Sequence, residues 1–337
     1  GRRMFGYTTP SELPNPVAYT VRRPMGVVAI ITPWNFPLAI PAWKIAPALV
    51  CGNTIVYKPA SATPLSAVKL VEIFEEAGLP AGVLNLVTGP GASVGNTLVE
   101  DERVGGISFT GSTEIGTSIT ARGSELLKKV QCEMGGKNAA IILNDADLDK
   151  AVPGVVQGAF GSTGQRCTAT SRAIVEDGIY NEFMDALLAQ TEALTVGDGM
   201  DSSKDVAPLA SRNQLDTVLE YIGIGTEEGA RLTFGGHQLR GDEFDEGYYV
   251  EPTIFTDVAT SMRIAREEIF GPVLSVFRAS DLQDAVRISN DVDFGLSSSV
   301  YTRDLVQAHE YINTAETGMV HVNAPTLGGE VHLPFGG

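Results

Sequence analysis

Cys167 has the setting in this sequence that most favours covalent chemistry. It lies in the segment Gly164-Gln165-Arg166-Cys167-Thr168, whose small and polar residues favour an accessible loop. The neighbouring Arg166 cation favours the thiolate, which is the nucleophilic form of a cysteine. A free cysteine is otherwise usually a buried, small apolar side chain, and this is our prediction for Cys51, which follows an apolar helix pattern. We therefore predict that Cys167 is a nucleophile.

Glu133 could serve such a nucleophile as a general base. It lies at the end of a strand pattern and precedes Met134-Gly135-Gly136-Lys137, where the glycines let a substrate or cofactor approach the backbone. An ordinary thiol has a pKa of about 8.5 and a thioester needs an activated water, so one carboxylate could assist both steps. A solvated surface acid is the alternative. The sequence alone leaves both interpretations open, because Glu133 and Cys167 are far apart along the chain.

Asn35 is placed between two prolines in Thr32-Pro33-Trp34-Asn35-Phe36-Pro37-Leu38, directly after an apolar segment. The prolines restrict the backbone and so fix the direction of the amide, as a hydrogen-bond donor to an oxyanion requires. Losing such a donor typically costs about 3 to 4 kcal/mol of transition-state stabilisation. The alternative is an asparagine that bonds only its own turn.

Two glycine-rich turns follow predicted strands. Gly111-Ser112-Thr113-Glu114-Ile115-Gly116 comes after Phe109-Thr110 and has the form of a phosphate-binding turn that enters a helix. Gly89-Pro90-Gly91 is the second such turn. Each signal is weak by itself, since many strand-to-helix turns are rich in glycine without binding phosphate.

The elements that must position these residues alternate between strand and helix patterns. Residues 6–22 are predicted to form an extended ribbon, and a helix is predicted over 41–50. A second helix is expected to begin with the hydroxyl of Thr63 as its cap and Pro64 at its first position. Apolar strands that alternate with helices indicate parallel sheets covered on both faces. Such strands are predicted at 26–31, 53–58, 85–88, 106–110, 139–143, 172–176, 252–256, 273–277 and 319–322.

The pattern restarts near Asn138, so we predict two α/β domains with a boundary at residues 134–137, where Gly135-Gly136 interrupts two apolar strands. The predicted divisions are a ribbon over 1–21, a first domain over 22–134 and a second over 135–337. The segment 235–247 is acidic and contains glycine, and is predicted to be an exposed loop.

The composition excludes several classes of function. The chain has 337 residues, with 24 Lys plus Arg against 41 Asp plus Glu, and the net charge of −17 argues against a nucleic-acid partner. Three cysteines without CxxC spacing and four histidines make a metal site unexpected and favour a reducing compartment. Neither a secretory signal nor a membrane-spanning segment is recognised, so a cytoplasmic location is predicted. The acidity fits either a high-salt habitat or an ordinary acidic enzyme.

Taken together and in this order, the motifs resemble the aldehyde dehydrogenase superfamily over essentially the whole chain. The resemblance implies an α/β fold with a Rossmann-type cofactor domain followed by a second α/β catalytic domain. It implies that Cys167 attacks an aldehyde, that hydride passes to a nicotinamide, and that Glu133 activates the water that releases the acid. Asn35 and the backbone N–H of Cys167 would stabilise the oxyanion. A protein that has kept the fold and lost turnover, or one that transfers the acyl group to coenzyme A, is the alternative.

The same resemblance implies a set of cofactor-binding residues. Lys58 would bind a cofactor ribose, and Glu268, in Glu267-Glu268-Ile269-Phe270-Gly271-Pro272, would bind the nicotinamide ribose. The full predicted set is Thr32, Trp34, Lys58, Ser61, Gly89, Phe109, Gly111, Ser112, Gly116, Gly135, Glu268 and Phe270.

Ser61 indicates which cofactor is preferred. Many NAD-preferring members of the family carry Glu three residues after the lysine, whereas here Ser61 takes that place. A carboxylate about 5 Å from a phosphate charge would cost roughly 3 kcal/mol at an effective dielectric constant near 20. We therefore predict NADP as the preferred cofactor, with NAD as a second one.

The substrate signal is more limited. Residues 161–171 and 328–335 resemble the branch of the family that oxidises 2-oxoglutarate semialdehyde (2,5-dioxopentanoate). Arg166 could meet the distal carboxylate, although a structural ion pair would explain Arg166 equally well. Phe36 is a second candidate substrate residue. Succinate semialdehyde is the nearest rival substrate.

The length also departs from the family pattern. The chain begins just before the ribbon that helps to join subunits and stops at Pro334-Phe335-Gly336-Gly337. The resemblance therefore implies a fragment whose full-length parent is a homodimer or homotetramer, and it leaves open whether this chain alone is active.

Overall fold

A computed structural model of the chain describes residues 1, 3–330 and 332–337. Arg2, in the predicted ribbon region, and Val331, in the segment that carries part of the substrate resemblance, lie outside the described residues. The chain divides into two compact units, Gly1–Met134 and Gly135–Gly337. Both units are α/β, as predicted. Within the described ranges, no helix is both long enough and apolar enough to cross a membrane.

The first unit contains a small antiparallel ribbon and a parallel sheet. In the ribbon, Thr8 pairs with Tyr19 and Pro10 with Val17. The described part of the sheet has the strand order β5-β4-β3-β6-β7, and all of its pairs are parallel. The strands of this unit are β1 Thr8–Pro10, β2 Val17–Tyr19, β3 Val27–Ile31, β4 Thr54–Lys58, β5 Leu84–Leu86, β6 Val104–Thr110 and β7 Lys129–Glu133. Its helices are α1 Ala39–Val50, α2 Pro64–Glu76, α3 Asn96–Glu100 and α4 Thr113–Glu125.

Strand β3 is apolar throughout because both faces of this sheet are covered. Ile30 packs with Ile45 of α1 and Ala67 of α2 on one face. Ala29 packs with Leu98 of α3 and Ile119 of α4 on the other. Because all pairs of this sheet are parallel, the carboxyl ends of its five described strands lie along one edge.

Two local predictions in this unit are wrong. Helix α2 has Pro64 at its first position, but the Thr63 hydroxyl makes no capping bond, and within the described structure this buried oxygen has no hydrogen-bond partner. The backbone of Thr63 (φ −130°, ψ 46°) is outside the extended conformation in which a side chain reaches the helix N–H groups. Cys51 is only partly buried, because α1 ends there and the chain turns at Gly52 (φ +81°).

The second unit contains a larger sheet with the order β10-β11-β12-β9-β8-β13-β14 in its described part, parallel except for the edge pair of β10 and β11. One face packs on α5 and α6 and the other on α9 and α10. The strands are β8 Asn138–Ile142, β9 Thr170–Glu176, β10 Arg231–Phe234, β11 Thr253–Thr256, β12 Val273–Ala279, β13 Ser297–Tyr301 and β14 Met319–Val322. The helices are α5 Leu148–Phe160, α6 Tyr180–Glu192, α7 Arg212–Glu227, α8 Arg263–Arg266, α9 Leu282–Asn290 and α10 Leu305–Thr314.

Strand β13 was not predicted, because its sequence Ser297-Ser298-Ser299-Val300-Tyr301 does not look like a buried strand. All five residues are nevertheless buried. Ser297 Oγ donates to the carbonyl of Thr326, and Ser298 Oγ bonds the Thr317 hydroxyl. These hydrogen bonds offset the desolvation of the Ser297 and Ser298 hydroxyls. The buried Ser299 Oγ has no hydrogen-bond partner within the described structure.

Candidate active site

The predicted site residues of the first unit gather at the carboxyl edge of its sheet. Carboxyl ends of parallel strands meet at one edge, so residues that follow different strands become neighbours there. Those that follow β3 are Thr32, Trp34, Asn35 and Phe36. Lys58 ends β4, Gly111 and Ser112 follow β6, and Glu133 ends β7.

This edge has the arrangement that binds dinucleotides in open α/β sheets. The chain proceeds from β3 to β4 on one side, whereas β6 lies on the other side of β3. The resulting crevice between β3 and β6 is a topological switch point, where ligands bind in such sheets. The 13-residue helix α4 begins at Thr113 directly after β6, so its first N–H groups lie at this edge. The arrangement fits the phosphates of a dinucleotide.

The polar groups at the end of β4 fit the adenosine side of such a cofactor. Lys58 is 5% exposed and its Nζ donates to the carbonyl of Pro59 over 3.0 Å, which uses one of three donors. Burial lowers the pKa of Lys58. Ser61 is exposed, and its hydroxyl donates to the Gly89 carbonyl over 3.3 Å. A cation and a hydroxyl suit either ribose hydroxyls or a 2′-phosphate.

Phe109 and the two glycines of the turn have a packing role. A Cβ on Gly111 would lie 2.5 Å from the Phe109 ring, and one on Gly116 would lie 2.5 Å from the sulfur of Met134. Phe109 itself is only 4% exposed and belongs to the core. The Phe109 ring packs directly under this turn, and its predicted contact with the cofactor stays a prediction. The glycines permit this close packing.

Glu133 is joined to a lysine that the sequence reasoning missed. Lys44 Nζ donates to Gln131 Oε1 over 3.3 Å, and Gln131 Nε2 donates to Glu133 Oε1 over 2.8 Å. Burial raises the pKa of Glu133, while the charge of Lys44 and the bond from Gln131 act in the opposite direction. Burial lowers the pKa of Lys44 to about 8, although Glu133 opposes that shift. A carboxylate whose pKa is moved toward neutrality suits a general base.

Two signals in the sequence could have identified this network. Lys44 is the one cation in the apolar helix sequence Ala39–Val50. Gln131 stands two residues before Glu133 on the same strand, so both side chains leave the same face.

In the second unit, the predicted site residues gather at the amino edge of the sheet. Gly135 precedes β8, Arg166 and Cys167 precede β9, and Glu268 and Phe270 precede β12. Because β8, β9 and β12 are neighbours in the sheet, these three segments lie side by side.

The loop before Cys167 contains a left-handed turn. Ser162, Thr163 and Gly164 have φ values of 52°, 58° and 65°. This region is unfavourable for residues with a Cβ, by about 1 to 2 kcal/mol each. A Cβ on Gly164 would collide with the backbone of Gly271, which explains the glycine. Thr163 Oγ1 donates to the Ala207 carbonyl over 2.7 Å, so surrounding structure holds the turn.

Arg166 extends from this turn beside the thiol. Its Nε and Nη2 donate to Ser162 Oγ over 3.0 and 2.8 Å. Burial lowers the pKa of Arg166, and the nearby Cys167 opposes that shift. Cys167 is partly exposed. The structure therefore places a partly exposed cysteine next to a cation.

Glu268 lies in a cradle of backbone and buried cations. Its Oε1 accepts the Gly136 N–H over 3.1 Å, and a Cβ on Gly135 would collide with its carboxylate. Lys137 is 2% exposed and its Nζ donates to the Glu267 carbonyl over 2.6 Å. Burial raises the pKa of Glu268, while burial and then Arg172 lower the pKa of Lys137 to about 7. The absence of a side chain at Gly135 is thus required by Glu268.

Phe270 is held in an unfavourable backbone conformation, with φ of 58°. Gln214 Nε2 donates to the carbonyls of Ile269 and Phe270, each over 3.0 Å. Strain of this kind persists only where neighbouring structure fixes it, and it is concentrated at functional sites. Gln214 was not predicted, because it lies in the distant helix α7.

Among the described residues, no group of three His, Cys, Asp or Glu side chains could hold a metal ion. The predicted catalytic residues are a cysteine beside a cation in the second unit and, in the first unit, an asparagine and a half-buried carboxylate.

Comparison with known proteins places this arrangement in a family. The model of the family described as "Aldehyde dehydrogenase family" matches residues 1–337. Alpha-ketoglutaric semialdehyde dehydrogenase of Bacillus subtilis is 48% identical over 337 residues, which are 100% of this chain and 69% of that protein. The 2,5-dioxopentanoate dehydrogenase of Saccharolobus solfataricus is 47% identical over 99% of this chain and 70% of its own length.

A solved structure gives the same result for the fold. That of 3,6-anhydro-L-galactose dehydrogenase in complex with NAP matches with a TM-score of 0.94 and 40% identity, and covers 98% of this chain and 69% of that one. The chain thus spans about two thirds of the length of these relatives. It belongs to the aldehyde dehydrogenase family, whose members are NAD(P)-dependent oxidoreductases that act on aldehydes.

Proposed function

We propose that the protein oxidises 2-oxoglutarate semialdehyde to 2-oxoglutarate, with NADP preferred and NAD as a second cofactor. The observation that carries the proposal is the accessible thiol of Cys167, held beside Arg166 in a chain 48% identical to an alpha-ketoglutaric semialdehyde dehydrogenase. The first unit would bind the cofactor and the second would carry the nucleophile.

The first half of the proposed reaction forms a thioester. Cys167 Sγ adds to the aldehyde carbon, and the oxyanion accepts hydrogen bonds from the Asn35 amide and the Cys167 N–H. An oxidised dinucleotide, which Lys58 and the turn at Gly111 would hold, would supply the acceptor for the hydride that leaves this carbon. Loss of the hydride re-forms the carbonyl as a thioester on Cys167, so the substrate is oxidised by two electrons.

The second half hydrolyses the thioester. Glu133 takes a proton from water, the water oxygen attacks the acyl carbon, and the bond to Cys167 Sγ breaks to release the acid. The raised pKa of Glu133 supports this role, because a stronger base removes the proton more readily. The charge of the nearby Lys44 acts in the opposite direction on this pKa and favours the ionised carboxylate.

Ser61 supports the proposed preference for NADP. An exposed hydroxyl at this position brings no negative charge toward a 2′-phosphate, while Lys58 ends the same strand and adds a cation. The related structure of 3,6-anhydro-L-galactose dehydrogenase contains NAP. The remaining members of the proposed cofactor set are Thr32, Trp34, Gly89, Phe109, Gly111, Ser112, Gly116, Gly135, Glu268 and Phe270.

Arg166 is the proposed partner of the distal carboxylate of the substrate, and Phe36 is a second proposed substrate residue. A guanidinium offers donors in a fork that matches a carboxylate. Its bonds to Ser162 Oγ fix the direction of the side chain in advance. We further propose that the protein assembles as a homodimer or homotetramer, since Tyr7, Val17 and Tyr19 of the ribbon region expose apolar surface.

The test is formation of reduced cofactor by the full-length protein with 2,5-dioxopentanoate, succinate semialdehyde and betaine aldehyde, each with NADP and NAD. We expect the dioxo substrate with NADP to give the highest kcat/KM, and Cys167→Ser to abolish it. A higher kcat/KM with succinate semialdehyde would show that this aldehyde is the preferred substrate, and the proposed aldehyde oxidation through Cys167 would still hold. A folded protein that oxidises none of the three aldehydes would refute the proposal.

A further inference from the structure

Three consecutive carbonyl groups at the predicted nucleophile are held by two buried side chains. Asn138 Nδ2 donates to the carbonyl oxygens of Cys167 and Ala169, each over 2.8 Å. Thr326 Oγ1 donates to the Thr168 carbonyl over 2.6 Å. We call Asn138 and Thr326 the carbonyl clamp.

The carbonyl clamp is itself fixed to the sheet. Asn138 is 3% exposed and Thr326 is 0% exposed. Asn138 Oδ1 accepts the N–H of Ser297 over 3.0 Å, and the carbonyl of Thr326 accepts Ser297 Oγ over 2.7 Å. Because Thr326 donates its hydroxyl hydrogen to Thr168, the hydroxyl of Thr170, 2.9 Å away, must be the donor to Thr326. Both residues thus join the loop to the starts of β8, β9 and β13.

The clamped residues form the turn that carries the thiol. The Ala169 N–H donates to the Arg166 carbonyl over 3.0 Å, which places Cys167 inside this turn. A Cβ on Gly136 would lie 2.7 Å from the Cys167 carbonyl oxygen, so the backbone of Gly136 packs tightly against that of Cys167. The direction of the backbone on the C-terminal side of the thiol is therefore set by hydrogen bonds to the clamp.

We infer that Asn138 and Thr326 are positioning residues that hold the Cys167 thiol beside Arg166 in its reactive direction. The inference rests on the proposed role of Cys167 as the nucleophile. The clamp acts through backbone carbonyls, and its loss would let the sulfur move away from the guanidinium that favours the thiolate.

The experiment measures the alkylation of Cys167 by iodoacetamide as a function of pH. The full-length protein carries Cys51→Ser and Cys132→Ser, so that Cys167 is the one cysteine left to react within these 337 residues. Thr326→Val removes the hydroxyl and keeps the shape, whereas Thr326→Ser keeps the hydroxyl. Thr191→Val is the matched control, since Thr191 is 1% exposed and its hydroxyl donates to the Leu187 carbonyl over 2.7 Å, within α6.

We expect Thr326→Val to slow alkylation at neutral pH by about fivefold and to move the midpoint of its pH profile upward, because the thiolate loses its cation. Thr326→Ser should restore the wild-type profile. Thr191→Val should lower the Tm and leave the profile unchanged. Equal alkylation profiles for Thr326→Val and Thr191→Val would overturn the inference. If Thr326→Val does not fold, Asn138→Ser must show the same upward shift.

Aldehyde oxidation separates this inference from the proposed function. In an active enzyme, Thr326→Val should lower kcat about tenfold and change KM little, as expected when a reacting group is misplaced. A wild-type protein without aldehyde oxidation, in which Thr326→Val still shifts the alkylation profile, would refute the proposed function and keep the carbonyl clamp. Normal oxidation by a Thr326→Val variant with an unshifted profile would refute the clamp alone.

Discussion

The two units place their site residues at opposite ends of their own strands. In the first unit the residues follow the carboxyl ends of β3, β4, β6 and β7. In the second they precede the amino ends of β8, β9 and β12. Helices that follow strands begin at a carboxyl edge and offer free N–H groups, whereas helices that lead into strands end at an amino edge and leave carbonyl groups without intrahelical partners. The two edges therefore need different side chains.

The second unit meets this requirement with buried donors. Arg172 is 3% exposed, and its guanidinium donates to the carbonyls of Ile288 and Ser289, at the end of α9, and to that of Lys137. Lys137 donates to the Glu267 carbonyl. Asn138 donates to the carbonyls of Cys167 and Ala169. The amino edge is thus organised by side chains, while the carboxyl edge of the first unit is organised by the strand order itself.

The largest effect should come from Glu133→Gln. This substitution tests whether Glu133, at the carboxyl edge of the first unit's sheet, acts only in the hydrolysis of the thioester. We expect kcat to fall about a thousandfold, because a general base is lost. One equivalent of reduced cofactor should still form in a rapid burst, since thioester formation uses Cys167. Stopped-flow absorbance measures the burst, and Glu125→Gln, an exposed acid of α4, is the control. Loss of the burst would show that Glu133 also activates the thiol.

Ser61→Glu, in the segment that follows β4, should have the next largest effect. A carboxylate about 5 Å from a 2′-phosphate costs roughly 3 kcal/mol, equivalent to about a hundredfold in affinity. Titration with each dinucleotide should show weaker NADP binding and NAD binding that is unchanged or improved. Ser61→Gln, a neutral side chain of similar size, separates charge from bulk. Equal losses for both cofactors would contradict a role of charge at this position.

Lys137→Met tests the amino edge. The substitution leaves the Glu267 carbonyl without its donor, at a cost of about 1 to 3 kcal/mol. Since the folded-state pKa of Lys137 is about 7 and the ordinary value is 10.5, the folded protein binds fewer protons than the unfolded one between these values. The contribution of Lys137 to stability therefore rises with pH across that window.

Denaturant unfolding at pH 6 and pH 9 should accordingly show a greater loss of stability for Lys137→Met at pH 9. Lys69→Met is the control, because Lys69 forms an exposed ion pair with Glu72. A loss that is greater at pH 6 than at pH 9 would contradict the argument.

The smallest effect should come from Lys44→Met. Burial raises the pKa of Glu133 and the charge of Lys44 lowers it, so removal of that charge should raise the pKa further. The carboxylate is the active form, and the acid limb of the kcat profile should move to higher pH. At pH 9, where Glu133 is ionised in both proteins, kcat should be similar. An acid limb at the wild-type position would exclude coupling between the two residues.

The sequence predicts the carboxyl edge of the first unit's sheet better than the amino edge of the second unit's sheet. Lys58, Gly111 and Glu133 lie at one edge in the structure because each ends or follows a strand that the sequence indicates, and parallel strands bring such positions together. Thr326 could not be linked to Thr168 in this way, because the two residues are far apart along the chain and a hydroxyl gives no signal of its partner.

Strand β13 shows a further reason for error. Its serines hide a buried strand, since the burial of Ser297 and Ser298 depends on their hydrogen bonds to Thr326 and Thr317.

The left-handed turn at Ser162–Gly164 has a consequence for the order of folding. Its backbone is unfavourable in isolation and is supported by Ala207 and Gly271, which are distant in sequence. Distant contacts of this kind form late, after the cost of loop closure has been met. The loop from Ser162 to Cys167 should therefore reach its final conformation only when the rest of the second unit has folded. The reactivity of Cys167 would then report completed folding, and immature chains would be kept from reacting with aldehydes.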